Sequence, residues 1–305
     1  MRLIFMGTPQ FAVPALERIV AAGHEVLAVY TQPDRPKGRG GKLAASPVKE
    51  AALRLSLPVR QPERIRRPEV ISELADLRAD AIVVVGYGQI IPQVIIDLPK
   101  RGIINVHASL LPKYRGAAPI QWAIANGEQR TGVTTMQIDA GLDTGDMLLK
   151  WETDIGPEEN ALELSPRLAQ AGAQLLIRTL RENPTPTKQN NAEATHAPIL
   201  KKEDGRIDWN WDAAKIFNRA RGFLPWPGAY TTFRGHLLHI WKAKPHNLPI
   251  VPGTLIRAEK RLYAGCGNNT ALELLEIQQE GRRRITAADF LNGVHLSDNE
   301  ILGAK

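Results

Sequence analysis

The amino-acid sequence predicts a doubly wound, mostly parallel α/β sheet followed by a smaller all-β domain. In the first part of the chain short apolar strands alternate with amphipathic helices, which is typical of parallel sheets covered by helices. Residues 184–205 are rich in Pro, Thr, Asn and Gln and have no apolar period. Beyond them, strand-like pieces alternate with turns, as in a small antiparallel barrel of the OB type. We therefore predict a catalytic domain at 1–183, a linker at 184–205 and an OB-like domain at 206–305.

The individual helices and strands are predicted from the spacing of apolar residues and from the Gly, Pro and Ser residues that bound them. The first strand, Leu3–Phe5, runs into the turn Gly7-Thr8-Pro9, and Pro14 suits the first turn of the helix Val13–Ala22. Ser46-Pro47 predicts the start of a second helix, which ends near Leu55. Further predicted helices are Pro68–Arg78, Ile120–Asn126 and Ala161–Arg181, and further strands are Glu25–Tyr30, Ala81–Val85, Ile103–Val106, Val133–Ile138 and Met147–Trp151. The predicted C-terminal strands are Tyr230–Phe233, Leu237–Trp241, Gly253–Ile256, Leu262–Ala264 and Leu272–Gln278.

Composition narrows the class of protein. The chain has 305 residues with 43% hydrophobic and 23% charged residues, which is ordinary for a globular protein. The sequence has no apolar run long enough for a membrane span and no signal-type N-terminus, so we expect a cytoplasmic protein. Its single cysteine, Cys266, excludes an internal disulfide. The net charge of +7 favours a polyanionic partner such as RNA. We expect a monomer.

Three incomplete motifs exclude other kinds of site. Gly7-Thr8-Pro9 follows a strand but lacks the further glycines of a dinucleotide-binding turn. The segment Gly38–Leu43 has the wrong spacing for a P-loop and no Ser or Thr after its lysine. His236 and His239 lie three apart in a predicted strand and so face opposite sides. We therefore expect neither nucleotide hydrolysis nor a metal.

Polar side chains at the end of one predicted strand suggest chemistry. Asn105 and His107 follow the apolar run that begins at Ile103, at the edge where ligand sites of open α/β sheets collect. Asp143 follows in Leu142-Asp143-Thr144-Gly145. An amide donor, an imidazole and a carboxylate can stabilise an oxyanion and move a proton without a metal or a covalent nucleophile. By itself the pattern is short, and a capped strand with an incidental histidine explains it equally well.

A basic loop follows the second predicted strand. Its cations are Arg35, Lys37, Arg39 and Lys42, and its glycines and prolines keep the segment Pro33–Gly40 from being helical. Glycine lets main chain approach a phosphate backbone and the cations neutralise phosphate charge. A long loop beside the carboxyl edge of a sheet is usually functional, although a solvated flexible loop remains the alternative.

The sequence resembles the formyltetrahydrofolate-dependent transformylases. The resemblance rests on the run from Asn105 through Ser109-Leu110-Leu111-Pro112 to Trp122, on Met6–Phe11, on Val85–Gln89 and on Leu142–Asp146. The basic loop and the segment Pro225-Trp226-Pro227-Gly228 are similar to those of the members that act on tRNA. One departure is visible: Gly41-Lys42 stands where many relatives have consecutive lysines.

The resemblance implies a function and a set of site residues. It implies formyl transfer from 10-formyltetrahydrofolate to the α-amino group of methionyl-initiator tRNA, giving formylmethionyl-tRNA for translation initiation. It implies a catalytic trio of Asn105, His107 and Asp143. The implied folate contacts are Tyr87, Gln89, Ser109, Leu110, Leu111 and Pro112. The implied tRNA contacts are Arg35, Lys37, Arg39 and Lys42. Two alternatives stay open: a transformylase for a small amine, and an RNA-binding protein without catalysis.

Overall fold

The computed structural model describes residues 1–37, 42–297 and 300–303. The helices are α1 (Val13–Ala21), α2 (Pro47–Arg54), α3 (Pro68–Asp76), α4 (Gln93–Ile96), α5 (Pro119–Ala125), α6 (Ala161–Glu182), α7 (Ala213–Gly222) and α8 (Ala287–Gly293). The strands are β1 (Arg2–Gly7), β2 (Glu25–Tyr30), β3 (Arg35–Lys37), β4 (Lys42–Ala44), β5 (Val59–Arg60), β6 (Ala81–Val85), β7 (Ile103–His107), β8 (Arg115–Gly116), β9 (Arg130–Gln137), β10 (Met147–Asp154), β11 (His196–Ala197), β12 (Ala229–Phe233), β13 (His236–His246), β14 (Leu255–Ala258), β15 (Arg261–Cys266), β16 (Thr270–Gln279) and β17 (Ile285–Thr286).

The central sheet has seven strands in the order β10-β9-β7-β6-β1-β2-β5. The neighbours from β7 to β5 are parallel, whereas β9 pairs with β7 in the antiparallel sense. Every residue of β6 and β7 is buried, which explains the continuous apolar sequence of β6 and makes the polar Asn105 and His107 of β7 exceptional. The predicted α/β class is confirmed. Because β2, β6 and β7 are parallel, the segments that follow them leave the same edge of the sheet.

The basic loop is partly regular in the described residues. β3 and β4 form an antiparallel ribbon in which Arg35 pairs with Ala44 and Lys37 with Lys42. The ribbon is anchored at its base, since Asp34 accepts hydrogen bonds from Lys49 Nζ at 2.6 Å and from Gln61 Nε2 at 2.8 Å. The hydrogen bonds from Lys49 and Gln61 lower the pKa of the Asp34 carboxyl. Arg39 lies outside the described residues.

The predicted linker 184–205 is not featureless. It contains β11 and two short 3-10 turns, Asn191–Glu193 and Lys202–Gly205. Residue contacts divide the chain into two compact units, one of Met1–Gly116, Thr131–Thr153 and Ser165–His196, the other of Ala117–Arg130, Asp154–Leu164 and Ala197–Lys305. The first part of the segment therefore packs with the central sheet. The predicted domain limits 1–183 and 206–305 stay a proposal.

The second unit contains an antiparallel sheet in the order β12-β13-β16-β15-β14, with β17 paired to β16. The predicted strands are present, but β13 extends beyond Trp241 to His246: the register shifts around Lys242, and Ala243 is the next buried position after Ile240. Two helices were not predicted: α7, which buries Ala213, Ile216 and Ala220, and α8. The OB type of this domain stays a prediction. In the described part of the chain, no helix is long and apolar enough to span a membrane.

Candidate active site

The site begins at the carboxyl end of β7. Ile103 and Ile104 are buried in the core, and Asn105 and His107 follow on the same face of the strand as Ile103, 8% and 5% exposed. Asn105 Nδ2 donates to Asp143 Oδ1 at 3.4 Å, and His107 Nδ1 lies 3.6 Å from Asp143 Oδ2. The structure therefore brings together the three side chains predicted to form the catalytic trio.

The contacts of His107 determine which ring nitrogen carries its hydrogen. Nε2 lies 2.9 Å from the main-chain oxygen of Tyr114. A carbonyl oxygen only accepts hydrogen bonds, so Nε2 is protonated and donates. Tyr114 is held in the left-handed region, with φ of 62°, which directs its carbonyl to the ring. Nδ1 is therefore the ring nitrogen that is left facing the Asp143 carboxylate.

Asp143 is fixed through both its side chain and its backbone. Its Oδ2 accepts a hydrogen bond from Gly116 N at 2.8 Å, and its own φ is 51°. The loop before it is closed by Asp139, whose carboxylate accepts from Thr144 Oγ1 at 2.7 Å. Gly145 must lack a side chain, because a Cβ there would lie 2.0 Å from a main-chain oxygen of β9. The loop thus holds a strained aspartate toward the histidine.

The main chain of Ser109–Pro112, the segment predicted to contact folate, is held by side chains of β9 and β10. Thr134 Oγ1 donates to Ser109 O at 2.7 Å and accepts from Leu111 N at 3.2 Å. Lys150 Nζ donates to Leu111 O at 2.6 Å. Ser109 and Leu111 are fully buried, Pro112 is buried and Leu110 is half-buried. The segment follows directly from His107, so its main chain is rigidly placed beside the trio.

The other predicted folate residues, Tyr87 and Gln89, lie in the turn after β6. Tyr87 is 2% exposed and its burial raises the pKa of its hydroxyl. Gln89 uses both ends of its amide on main chain: Nε2 donates to Pro62 O at 3.1 Å and Oε1 accepts from Ile65 N at 2.7 Å. Gln89 therefore joins the turn after β6 to the main chain of residues 62–65. Its contact with folate stays a prediction.

Two residues at the site were missed by the sequence analysis. Gln189 Nε2 donates to the main-chain oxygens of Asp143 at 2.8 Å and Gly145 at 2.7 Å. Gln189 Oε1 accepts from Arg115 Nε at 3.0 Å and from Nη2 at 2.8 Å. The sequence signal for Arg115 is its place in the Lys113–Ala118 run, but nothing in the sequence around Gln189 distinguishes it.

The predicted tRNA-binding cations are grouped on the β3–β4 ribbon, as far as the described residues extend. Arg35 is exposed, and Lys37 and Lys42 pair across the ribbon. Of these four residues only Arg35 has a described side chain, and none of its described hydrogen bonds reaches the trio. Across residues 1–37, 42–297 and 300–303, no group of three or more His, Cys, Asp or Glu side chains is arranged to hold a metal ion.

Comparison with known proteins assigns the class. Residues 1–180 match the family model described as formyl transferase, and residues 199–295 match that of the formyl transferase C-terminal domain. The chain belongs to the formyl transferase family. It is therefore an enzyme of the transferase class, and the family that the motifs suggested is confirmed.

The chain is similar over nearly its whole length to two relatives, and it shares its fold with solved formyltransferase structures. The chain is 65% identical to a methionyl-tRNA formyltransferase of Solibacter usitatus and 59% identical to that of Koribacter versatilis, with 99% of each chain covered in both cases. A methionyl-tRNA formyltransferase structure from Clostridium thermocellum aligns with a TM-score of 0.56 at 19% identity, covering 88% of this chain and 100% of that one. WlaRD, a sugar 3N-formyl transferase, aligns with a TM-score of 0.68 at 18% identity, covering 93% and 99%. At these identities the solved structures establish a common fold.

Proposed function

We propose that the chain transfers the formyl group of 10-formyltetrahydrofolate to the α-amino group of methionyl-initiator tRNA. The observation that carries the proposal is the meeting of Asn105, His107 and Asp143 at the end of β7, with the carboxylate 3.6 Å from His107 Nδ1. Full-length similarity to proteins named methionyl-tRNA formyltransferase supports the choice of acceptor. WlaRD, which shares the fold, was solved in the presence of 5-N-formyl-THF, and this supports a folate donor.

The chemistry needs charge stabilisation and proton movement. The ester linkage of the methionyl group lowers the basicity of its α-amine, so a useful fraction is neutral near pH 7. Its nitrogen attacks the formyl carbon, a C–N bond forms, and the carbonyl oxygen gains a negative charge. Asn105 turns one amide hydrogen toward Asp143, and its second can donate to this oxygen. Such a donor typically contributes about 3–4 kcal/mol to transition-state stability.

Collapse of the adduct requires two proton transfers. The bond from carbon to N10 breaks and N10 takes a proton, while the attacking nitrogen loses one. The Nδ1 of His107 supplies or stabilises the proton needed by the leaving nitrogen, because Nε2 is engaged with Tyr114 O. Asp143 stabilises the charged imidazole and accepts the proton of the amine through water. No metal and no covalent enzyme intermediate is needed.

Replacement of the trio tests the catalytic part of the proposal. Asn105→Ala and His107→Ala are expected to lower kcat by about 10²- to 10⁴-fold, the usual contribution of such groups, with little change in folate affinity. The measurement is steady-state formyl transfer to charged initiator tRNA, with tetrahydrofolate binding as the parallel readout. A kcat within about tenfold of wild type in either variant contradicts the assignment.

The tRNA part of the proposal rests on the β3–β4 ribbon. Arg35, Lys37, Arg39 and Lys42 contact phosphates of the acceptor end, and contacts of that kind release counterions. Raising salt from about 50 to about 200 mM is expected to raise KM for tRNA steeply and to leave KM for the folate nearly constant. Equal salt responses of the two KM values would refute this model.

One assay separates the proposal from its alternatives. Formyl transfer is measured with charged initiator tRNA, with non-initiator methionyl-tRNA and with small amines. Preference for the initiator tRNA supports the proposal, preference for a small amine indicates the other transformylase class, and no transfer to any acceptor indicates a binding protein. We further propose that Ser109–Pro112 and Tyr87 contact the folate and that the protein is a cytoplasmic monomer.

A further inference from the structure

The backbone around Asp143 is held by one side chain that is far away in sequence. The amide nitrogen of Gln189 donates both its hydrogens, one to Asp143 O at 2.8 Å and one to Gly145 O at 2.7 Å. These carbonyls lie two residues apart, on either side of Thr144. A single amide thus fixes two peptide groups next to a non-glycine residue in the left-handed region.

Arg115 determines which way the amide of Gln189 points. Its Nε and Nη2 both reach Gln189 Oε1, and Nη2 also donates to Asn191 Oδ1 at 2.8 Å. A guanidinium can only donate hydrogen bonds, so the atom of Gln189 that faces it is the oxygen. The nitrogen must then face the two carbonyls. Arg115 is 5% exposed, and the charge of its guanidinium polarises the amide and strengthens the hydrogen bonds that the amide nitrogen donates.

Three consecutive residues connect this pair to both ionisable members of the trio. Tyr114 O accepts from His107 Nε2, Arg115 holds Gln189, and Gly116 N donates to Asp143 Oδ2 at 2.8 Å. The β8 segment is itself fixed by the hydrogen bond from Arg115 N to Thr195 O at 2.9 Å. The carboxylate is therefore held from two directions, by β8 at its side chain and by Gln189 at its backbone.

We infer that Gln189, oriented by Arg115, is a positioning residue that sets the Asp143 carboxylate against His107 Nδ1. The inference rests on the proposed catalytic function of Asp143. Neither Gln189 nor Arg115 needs to touch the reacting atoms. Without the amide, the loop between Asp139 and Gly145 loses the two main-chain hydrogen bonds that Gln189 donates to it. A displacement of about 1 Å at a catalytic group can cost about 100-fold in rate.

A double-mutant cycle between Gln189→Ala and Asp143→Asn tests the inference. Gln189→Ala alone is expected to lower kcat by about 10- to 100-fold, with folate KM changed less than about threefold. In the Asp143→Asn background the same replacement is expected to change kcat less than about twofold, because the group it positions is already lost. Equal fold-losses in both backgrounds would indicate general destabilisation and overturn the inference.

Two further variants guard against a folding defect. Gln189→Glu keeps an oxygen for Arg115 but turns a second oxygen toward the two carbonyls, so it is expected to lose at least as much kcat as Gln189→Ala, with Tm measured to show that the variant is folded. A wild-type kcat in Gln189→Glu would overturn the inference. Gln174→Ala removes an exposed glutamine of α6 and serves as the matched control, with unchanged kcat and Tm.

The outcomes also separate this inference from the proposed function. If Asp143→Asn keeps kcat within about tenfold of wild type, the catalytic assignment fails and the positioning role fails with it. If Asp143→Asn is impaired and Gln189→Ala is fully active, only the positioning role is refuted.

Discussion

The hydroxyl of Thr134 provides a test of how the segment Ser109–Pro112, proposed to contact the folate, is held. Thr134 is fully buried in β9, and its Oγ1 donates to Ser109 O and accepts from Leu111 N. Thr134→Val replaces the hydroxyl by a methyl group of similar shape. Two main-chain groups of the 109–112 segment then lose their partner inside the protein.

The magnitude follows from those two hydrogen bonds. At about 1 kcal/mol net for each, Thr134→Val is expected to cost about 2 kcal/mol of stability. For a unit of this size that corresponds to a fall in Tm of roughly 4–8 °C. If disorder of the segment costs folate binding about 1.4 kcal/mol, KM for 10-formyltetrahydrofolate rises about tenfold.

Thr135→Val provides the matched control from the next position on the same strand. Thr135 is also fully buried, and its hydroxyl pairs with Thr179 Oγ1 at 2.8 Å and accepts from Leu149 N at 3.1 Å. Neighbouring residues of a strand face opposite sides, so this variant is expected to lose similar stability and leave folate KM unchanged. Thermal unfolding and steady-state kinetics on both variants decide the matter. Equal effects of the two variants on folate KM would refute the reasoning.

Two other predictions concern a glycine and an ion pair. Gly145→Ala places a Cβ 2.0 Å from a main-chain oxygen and is expected to lower the free energy of unfolding by about 1–3 kcal/mol and to lower kcat. Gly293→Ala, whose Cβ would have no atom within 4 Å, is the control and should leave Tm and kcat unchanged. Equal Tm and kcat values for the two variants would contradict this prediction. The Arg234 hydrogen bonds lower the pKa of Glu300 to about 2, so the pair stabilises the fold above the unfolded pKa of about 4.3 and loses that contribution as pH falls toward 2. Arg234→Met should therefore lower Tm at pH 7 and converge with wild type in acid, and a constant Tm difference over that range would contradict the linkage.

The sequence predicts much of the site because its chemistry lies next to regular structure. Asn105 and His107 lie at the end of the mostly apolar run that begins at Ile103, and such a run in an α/β pattern is a buried parallel strand whose carboxyl end faces the ligand side. The position of Asp143 relative to them came from the family resemblance. Its left-handed backbone and its contact with Gly116 depend on packing that no local pattern encodes.

The features that the sequence did not predict also have physical reasons. The tautomer of His107 depends on a carbonyl of Tyr114 that only the folded turn presents. Gln189 lies in a segment without apolar period, where an amide that binds backbone looks like any solvated amide. The helix α7 did leave a signal, since Asp212 caps it and Ala213 and Ile216 follow at helical spacing, but the surrounding strand-like pieces obscured it.

The distance in sequence between Asp143 and Gln189 has a consequence for the synthesis of this chain itself. A ribosome makes the chain from its N-terminus, so β7, the aspartate loop and all of α6 emerge before the residue that fixes the aspartate. The formyl transferase family match ends at residue 180, ahead of Gln189. A nascent chain arrested there contains Asn105, His107 and Asp143 but lacks Gln189, which we infer to position the aspartate. On that inference, full competence for formyl transfer requires translation of the segment that follows α6.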